Sequence, residues 1–582
     1  EKKDSMWQNF YSLGRLNNFN QTVNANYSVP LRKIKALDWV TLTTRYSANY
    51  EWRNAPPANQ NLGNTIQNAR TIGLNGNMNF ISFYNKIPVL QKANRPAPRP
   101  KKGDDDEEED PNKKSEMSNS TRNMLKFLMM VKQAQFGANI TDGTTLPGFN
   151  KEMDYVGQNF KHNTPGFPFI LGVQDENLRY NIARNGFLTN DTSQISRFMQ
   201  LNSIDINGSA TVEPFKGFRI SITMNKRQSI NTSSNFRYTE QAGDFVDVGL
   251  TEVGTFTSSY GMWRTLFDDY DRETYQSATF DQFKNNRFVI AQRLQAQEFT
   301  TGEYADIYGA EINQIDDSTD FPKGFSRTHQ DVLLYAFLAA YSGQNNATIN
   351  LNPFQKIPIP NWRLTYNGLA QMEMFKDIFS NISISHAYSS TLNMGAFFRP
   401  LDYGRDTLTK GANLTTQYGF QSGVSLIERL TPLIGIDITT KDGISMKFEY
   451  KTDRNLQLNM RNLQMVEIRN KEVVVGGGFR TKGVRLPIKL NGKKIVLQND
   501  LNIRFDLSIR DGATIVRNIE TDQYNATGGI KTITIRPSID YKISDVLNFR
   551  MFYNRNVNNP VTSNSFPSAI TDFGVTLRYT MQ

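Results

Sequence analysis

The sequence predicts an all-β fold: a transmembrane antiparallel β-barrel with long loops and a few loop helices. Three observations carry this. Strict alternation of apolar and polar residues recurs along most of the chain, the period of a strand with two unlike faces. The alternating runs last about 9 to 12 residues, the length that crosses a bilayer at a tilt, whereas strands of a soluble sandwich are nearer five or six. No apolar stretch approaches the 18 or so residues of a membrane-spanning helix, the longest being Val332 to Tyr341.

Composition agrees with strands and loops. Hydrophobic residues make up 38% and charged residues 21% of the 582, and aromatics reach 12% with 38 Phe and 24 Tyr, so the polar remainder is neutral and rich in Asn, Thr and Ser. The absence of Cys excludes disulfides, thiolate metal sites and thiol nucleophiles, and three His (His162, His329, His386) leave almost nothing for a His-built metal centre. No catalytic, cofactor-binding or metal-binding residue is assigned, and the chain is read as a non-enzyme without a cofactor. The net charge is +10. Apart from Lys and Arg near residues 92 to 102 and 113 to 114, the basic residues are scattered singly, and without an RNP, zinc-finger or basic-helix pattern no nucleic-acid partner is expected. The chain opens EKKDSMWQNF, with no initiator Met or apolar leader, and so reads as processed, truncated or one piece of something longer.

Taken in order, residues 1–94 read as barrel strands. Val40, Leu42, Tyr46 and Tyr50 alternate with Thr41, Thr43, Arg45 and Asn49, and Ile72, Leu74, Met78 and Phe80 with Asn75, Asn77 and Asn79. Trp39, Tyr50 and Trp52 bracket the first run, as rings at headgroup level would. Residues 95–114, RPAPRPKKGDDDEEEDPNKK, have prolines, like charges and no apolar residue, which makes them a disordered acidic, Pro-rich loop. Residues 115–200 read as a loop insertion whose start, Ser115 to Gln135, has helix-forming composition with Met124, Leu128 and Val131 at helical spacing. Residues 201–324 read as barrel strands and long loops, with alternation at Ile204 to Val212 and Ile220 to Met224.

Residues 325–360 hold the apolar stretch and then Pro353, Pro358 and Pro360, which prevent regular pairing ahead of Trp362. The stretch is too short to span, so it is expected to lie in an interface, plug the lumen or be buried by a partner. Residues 361–582 read as strands to the C-terminus, clearest where Leu501, Ile503, Phe505, Leu507 and Ile509 interleave with Asn502, Arg504, Asp506, Ser508 and Arg510. Asp442-Gly443 and Asp511-Gly512 carry tight-turn chemistry. Gly476-Gly477-Gly478 lacks the Lys and Ser/Thr of a phosphate loop and is expected to mark a bulge or hairpin. Roughly 14 to 18 strands are expected in all. His386 shares its parity with Ile382 and Ile384 and reads as a lipid-interface or packed residue, not a catalyst, while His162 and His329 sit in loop-like or pre-helical sequence.

Four stretches carry a family resemblance: FPKGFSRTHQDVLLYAFLAAYSG, NPFQKIPIPNWRLTYNGL, LDWVTLTTRYSANYEW and GNTIQNARTIGLNGNMNFISFYNK. Together they resemble the SprA/Sov family, the outer-membrane translocon of the type IX secretion system, and specifically a C-terminal portion of its much longer members. The acidic loop belongs to no such motif. The resemblance implies part of the wall of a very large barrel, in the outer membrane of a Gram-negative bacterium, that exports folded proteins carrying a C-terminal secretion domain through a lateral opening. The implied partners are those secreted substrates, a PorV-like shuttle barrel, a periplasmic plug protein, outer-membrane lipid or LPS, and the remainder of the SprA-like chain. Phe573, Val575, Leu577 and Tyr579 alternate to the end as a last barrel strand should, although Thr580, Met581 and Gln582 replace the usual terminal aromatic.

The competing readings are a conventional porin or TonB-type outer-membrane transporter, which should close its barrel from this chain, and a surface adhesin, which should be soluble without detergent. In the translocon reading, Arg504, Asp506, Arg510, Arg536 and Lys542 face a wet lumen while Phe505 and Ile535 face lipid.

Overall fold

The computed structural model describes residues 17–580 apart from 95–117, 406–412, 491–492, 498, 522, 545 and 563–564. The acidic loop therefore lies outside the described residues. Seventeen strands form one antiparallel sheet: β1 (Asn18–Val29), β2 (Val40–Arg53), β3 (Asn64–Asn79), β4 (Val131–Phe149), β5 (Phe198–Val212), β6 (Phe218–Thr239), β7 (Asp244–Ser259), β8 (Asn361–Tyr366), β9 (Phe379–Phe398), β10 (Gly419–Phe420), β11 (Val424–Thr440), β12 (Ile444–Asn459), β13 (Gln464–Thr481), β14 (Leu501–Asn518), β15 (Tyr524–Lys542), β16 (Leu547–Pro560) and β17 (Ser568–Tyr579). Two small hairpins stand apart from it.

Neighbours in sequence pair as neighbours in space from β1 to β6 and from β11 to β17. The middle departs from this. The 22-residue β6 has two partners end to end: Phe218–Thr223 pairs with β8, and Lys226–Thr239 with β7. On the far side β9 receives both in the same way. β7 and β8 are thus two halves of one ladder, and residues 260–360 leave the strand after Ser259 and rejoin it at Asn361. The break is held by polar bonds. The Asn225 N–H donates to Ser259 Oγ (3.0 Å), and the Ser390 N–H to Asn361 Oδ1 (2.8 Å). Among the described residues β1 and β17 each have a partner on one side alone, so the sheet is an open arc.

Residues 260–360 contain α1 (Ala278–Thr300) and α2 (Gln330–Ser342). The sequence makes α2 a buried helix. It is apolar all round; His329 caps its start, Nδ1 accepting from the Asp331 N–H, and Gly343 at φ 64° ends it in the left-handed conformation. Every residue from Asp331 to Ser342 is buried. The covering surface belongs to this chain: α1, and side chains of the sheet including Phe256, Leu392, Met394, Leu426, Leu456, Leu458 and Met465. A second core joins residues 150–197 to Tyr50, Trp52, Ile66, Leu146, Phe198 and Phe236.

Several expectations are corrected. Residues 115–200 are not all insertion, because β4 occupies Val131–Phe149; its Gly, Asp and Thr residues blur the alternation that the ladder restores. The helix expected from Ser115 to Gln135 spans Asn119–Leu128, and the strand takes over at Val131. Asp442-Gly443 does turn the chain, with Gly443 at φ 85°, but Asp511-Gly512 sits inside β14, paired with Lys471 and Asn470. Gly476 to Gly478 form neither bulge nor hairpin. They run in unbroken register between β12 and β14, where a side chain at Gly478 would collide with Ser445 Oγ. Tyr50 and Trp52 end no exposed belt, because residues 150–197 bury them.

Candidate functional site

The two faces of the arc differ throughout. The register aligns Phe448, Val475, Leu507, Ile535 and Arg555 in one row, and Phe479, Ile503, Ile539, Met551 and Val575 in another. Because side chains alternate, these belong to one apolar face, while Lys447, Asp506, Arg536 and their row-mates belong to the opposite, polar face. The apolar face has two zones. Towards the rim opposite the C-terminus it lies beneath residues 150–197 and 260–360. Towards the C-terminal rim it is bare, with Phe448 40%, Phe505 45%, Phe573 65% and Leu577 62% exposed.

Aromatic residues collect where the bare zone meets the covered one. Trp362 stacks on Tyr388 with ring centroids 4.5 Å apart, and Trp263 of the inserted segment lies 5.9 Å from Trp362. Beside them a buried ionic row crosses four strands. Arg454 Nη2 lies 2.9 Å from Glu428 Oε2, Arg469 Nη2 2.7 Å from Glu467 Oε1, and Arg517 Nη1 2.6 Å from Glu467 Oε2. The inserted segment is stitched to this row. The Thr265 hydroxyl meets Arg454 at 3.0 Å, the Tyr275 carbonyl accepts from Arg517 Nε at 3.1 Å, and Asp269 accepts from Arg469 (2.9 Å) and Lys471 (2.6 Å). Removing either sign alone would strand a buried charge, so these residues act as a clamp between sheet and insertion. Sequence reading missed it. The one available signal was Glu428, Arg454 and Arg517 standing at the same parity along their strands as Leu426, Leu456 and Ile515.

The polar face carries two concavities. One, of about 950 Å³, opens across β11 to β17 near the C-terminal rim and is lined by Arg480, Asp500, Arg504, Asp540, Lys542, Arg550 and Arg578 among others. The second, of about 470 Å³, is lined by Thr41, Asn75, Asn77, Gln135, Asn207 and Ser209 of β2 to β5. Of the residues assigned to a wet lumen, Arg504 and Lys542 meet in the first concavity. Asp506, Arg510 and Arg536 lie along the same face, with Asp506 opposite Arg536 and Arg510 opposite Thr532. Phe505 and Ile535 are on the apolar side, opposite Pro537 and Leu507.

The histidines are scattered. His386 Nδ1 donates to the Leu433 carbonyl (2.7 Å), His329 caps α2 with Nε2 3.1 Å from the Leu414 carbonyl, and His162 bonds Asn159 (3.0 Å) at the surface. Among the described residues no three His, Asp or Glu side chains converge as metal ligands.

No family model and no curated protein matches the chain. Among solved structures it is similar to the siderophore receptor PirA from Acinetobacter baumannii, at 8% identity over 97% of this chain and 72% of that one, TM-score 0.25. It is also similar to the RagAB peptide importer in its "open-open" state, at 8% identity over 93% and 50%, TM-score 0.26. A third is a ferric enterobactin receptor (PfeA) mutant from Pseudomonas aeruginosa, at 7% identity over 97% and 73%, TM-score 0.23.

Proposed function

We propose that the chain is an arc of the wall of an outer-membrane transport barrel, its polar face lining an aqueous lumen, and that this lumen is the protein-conducting channel of type IX secretion. The observation that supports the wall is the bare zone: one continuous sheet presents an exposed apolar face in one zone and a charged, concave face behind it. Such a band is unstable in water and at rest in hydrocarbon. The sheet ladder satisfies the backbone there, as lipid requires. Mixed charges on the hydrated side give passing polypeptide no lasting foothold.

The translocon reading rests on the SprA/Sov resemblance and on the two edges, β1 and β17, that have no second partner among the described residues. Lipid does not tolerate open edges, so β1 and β17 must each find a partner, which in this reading the remainder of a SprA-like chain supplies. In that reading secreted proteins with C-terminal secretion domains pass through a lateral opening served by a PorV-like shuttle barrel and a periplasmic plug protein. A second reading, a porin or TonB-type transporter, has β1 closing directly on β17.

The absence of native Cys makes the test clean. Single cysteines from 502 to 507 in membranes should react with a water-soluble maleimide at 502, 504 and 506, and resist it at 503, 505 and 507 unless the membrane is dissolved. Uniform labelling would end the wall reading. Mass spectrometry of the intact detergent complex then separates the two transport readings. A longer polypeptide with companion barrels is expected, and a lone 582-residue chain would favour the transporter.

A further inference from the structure

The charges in the larger concavity do not balance. Leaving Lys542 aside, Arg480, Arg504, Arg550 and Arg578 line it, against Asp500 and Asp540. Both carboxylates are engaged. Asp500 lies 2.7 Å from Arg480 and 3.5 Å from Lys482, and Asp540 lies 3.6 Å from Arg550. Among the described residues Arg504 and Arg578 have no carboxylate within ion-pair distance.

The arrangement of these cations matters as much as their number. Arg504 stands opposite Ser538 on β15, which stands opposite Phe552 on β16; Arg550 stands two residues from Phe552 and opposite Thr576, and Arg578 two residues beyond Thr576. With strands about 4.8 Å apart and residues about 3.4 Å apart along them, successive arginines are spaced roughly 8 to 12 Å at the backbone. One phosphate engages one or two of them. Carboxylates on alternate residues of an extended peptide, roughly 7 Å apart, reach all three through flexible side chains, and guanidinium pairs with carboxylate as a two-pronged donor.

We propose that this concavity is a binding site for an acidic, extended polypeptide segment. About 950 Å³ holds several residues of such a chain, laid across β14 to β17 with its acidic side chains towards Arg504, Arg550 and Arg578. The site stands on its charge and shape and does not depend on what is transported.

The probe is a fluorescein-labelled peptide of alternating Glu and Ser, titrated into the detergent-purified protein in low salt and followed by anisotropy. Heat-modifiable mobility in electrophoresis shows separately that the protein is assembled; its loss in the native protein would be a failure of the barrel reading and not of the site. The double variant Arg504→Glu/Arg578→Glu should weaken binding at least tenfold. Arg45→Glu/Arg363→Glu, with the same charge change elsewhere on the polar face, should leave it within twofold. Arg504→Gln/Arg578→Gln, a milder change, should still lose at least threefold. Equal loss in both Glu variants would overturn the proposal, reducing the effect to general charge. So would displacement of the peptide by inorganic phosphate at matched ionic strength, which would make it a small-anion site.

Discussion

Phe505 and Arg504 are adjacent in sequence and opposite in consequence. Phe505 is 45% exposed with no covering element, whereas Arg504 lines the polar concavity. In the wall reading, placing Arg at position 505 or 535 sets a charge in the hydrocarbon band and should cost about 2–4 kcal/mol of assembly near the midplane. Arg504→Ser should assemble normally. Equilibrium folding into vesicles measures both, and equal tolerance at the two kinds of position would contradict the facing assigned here. A second residue outside the band responds to pH. Burial in α2 pushes the Asp331 carboxyl up to about 7, with the Gln417 N–H opposing and the nearby Glu298 adding to the rise. The folded state therefore holds this proton more tightly than the unfolded chain. The resulting stability is complete below about pH 4 and is lost as the pH climbs to about 7. Asp331→Asn, which retains an acceptor for Gln417, should remove that slope and stabilise the inserted segment at pH 8 by up to about 4 kcal/mol, read as proteolysis of residues 260–360 across pH.

At the scale of elements, the insertion between β7 and β8 decides how the surface is divided. α2 is apolar on every side and would aggregate alone. Seated against α1 and the ends of β9 and β11 to β13, it is wholly covered. The ionic row from Glu428 to Arg517 holds that seat. Arg517→Met leaves Glu467 buried with Arg469 alone and should loosen the insertion by about 3 kcal/mol. The expected sign is faster clipping within residues 260–360 while the sheet keeps its heat-modifiable mobility; an unchanged clipping rate would show that apolar packing alone suffices. The elements legible in sequence were those whose two faces meet unlike surroundings, such as β14 over Leu501 to Ile509. β4 was obscured because Asp142 and Thr144 stand at apolar-parity positions, where they are buried, Asp142 with Arg70 and Asn202 and Thr144 with Asn68 and Gln174 as partners, instead of facing an apolar medium. Asp511-Gly512 failed as a turn because Asp-Gly permits a reversal without requiring one, and the ladder to β13 continues through it.

At the scale of the molecule, the open edges are the feature with most consequence. If β1 and β17 are separated by further wall, cysteines placed at Asn24 and Thr576, both facing the polar side, should not be joined by a short bismaleimide, while Asn548 and Arg578, paired across β16 and β17, should be joined readily. Efficient joining of Asn24 to Thr576 would mean a barrel closed by this arc alone and would move the function to the porin or TonB-type reading.

By itself the sequence determined that ribbons of period two run through most of the chain, greasy on one side and polar on the other, and that thiol chemistry has no material to work with and histidine chemistry very little. Those are local properties, set by residue type and spacing. Only the tertiary structure decided that a strand is cut in two by a hundred or so residues that pack back on its apolar face, that the ionic row binds them there, and that five cations gather in one hollow. Each of these depends on which strands are neighbours and in what register, and backbone pairing between residues far apart in sequence leaves no periodic trace in either partner.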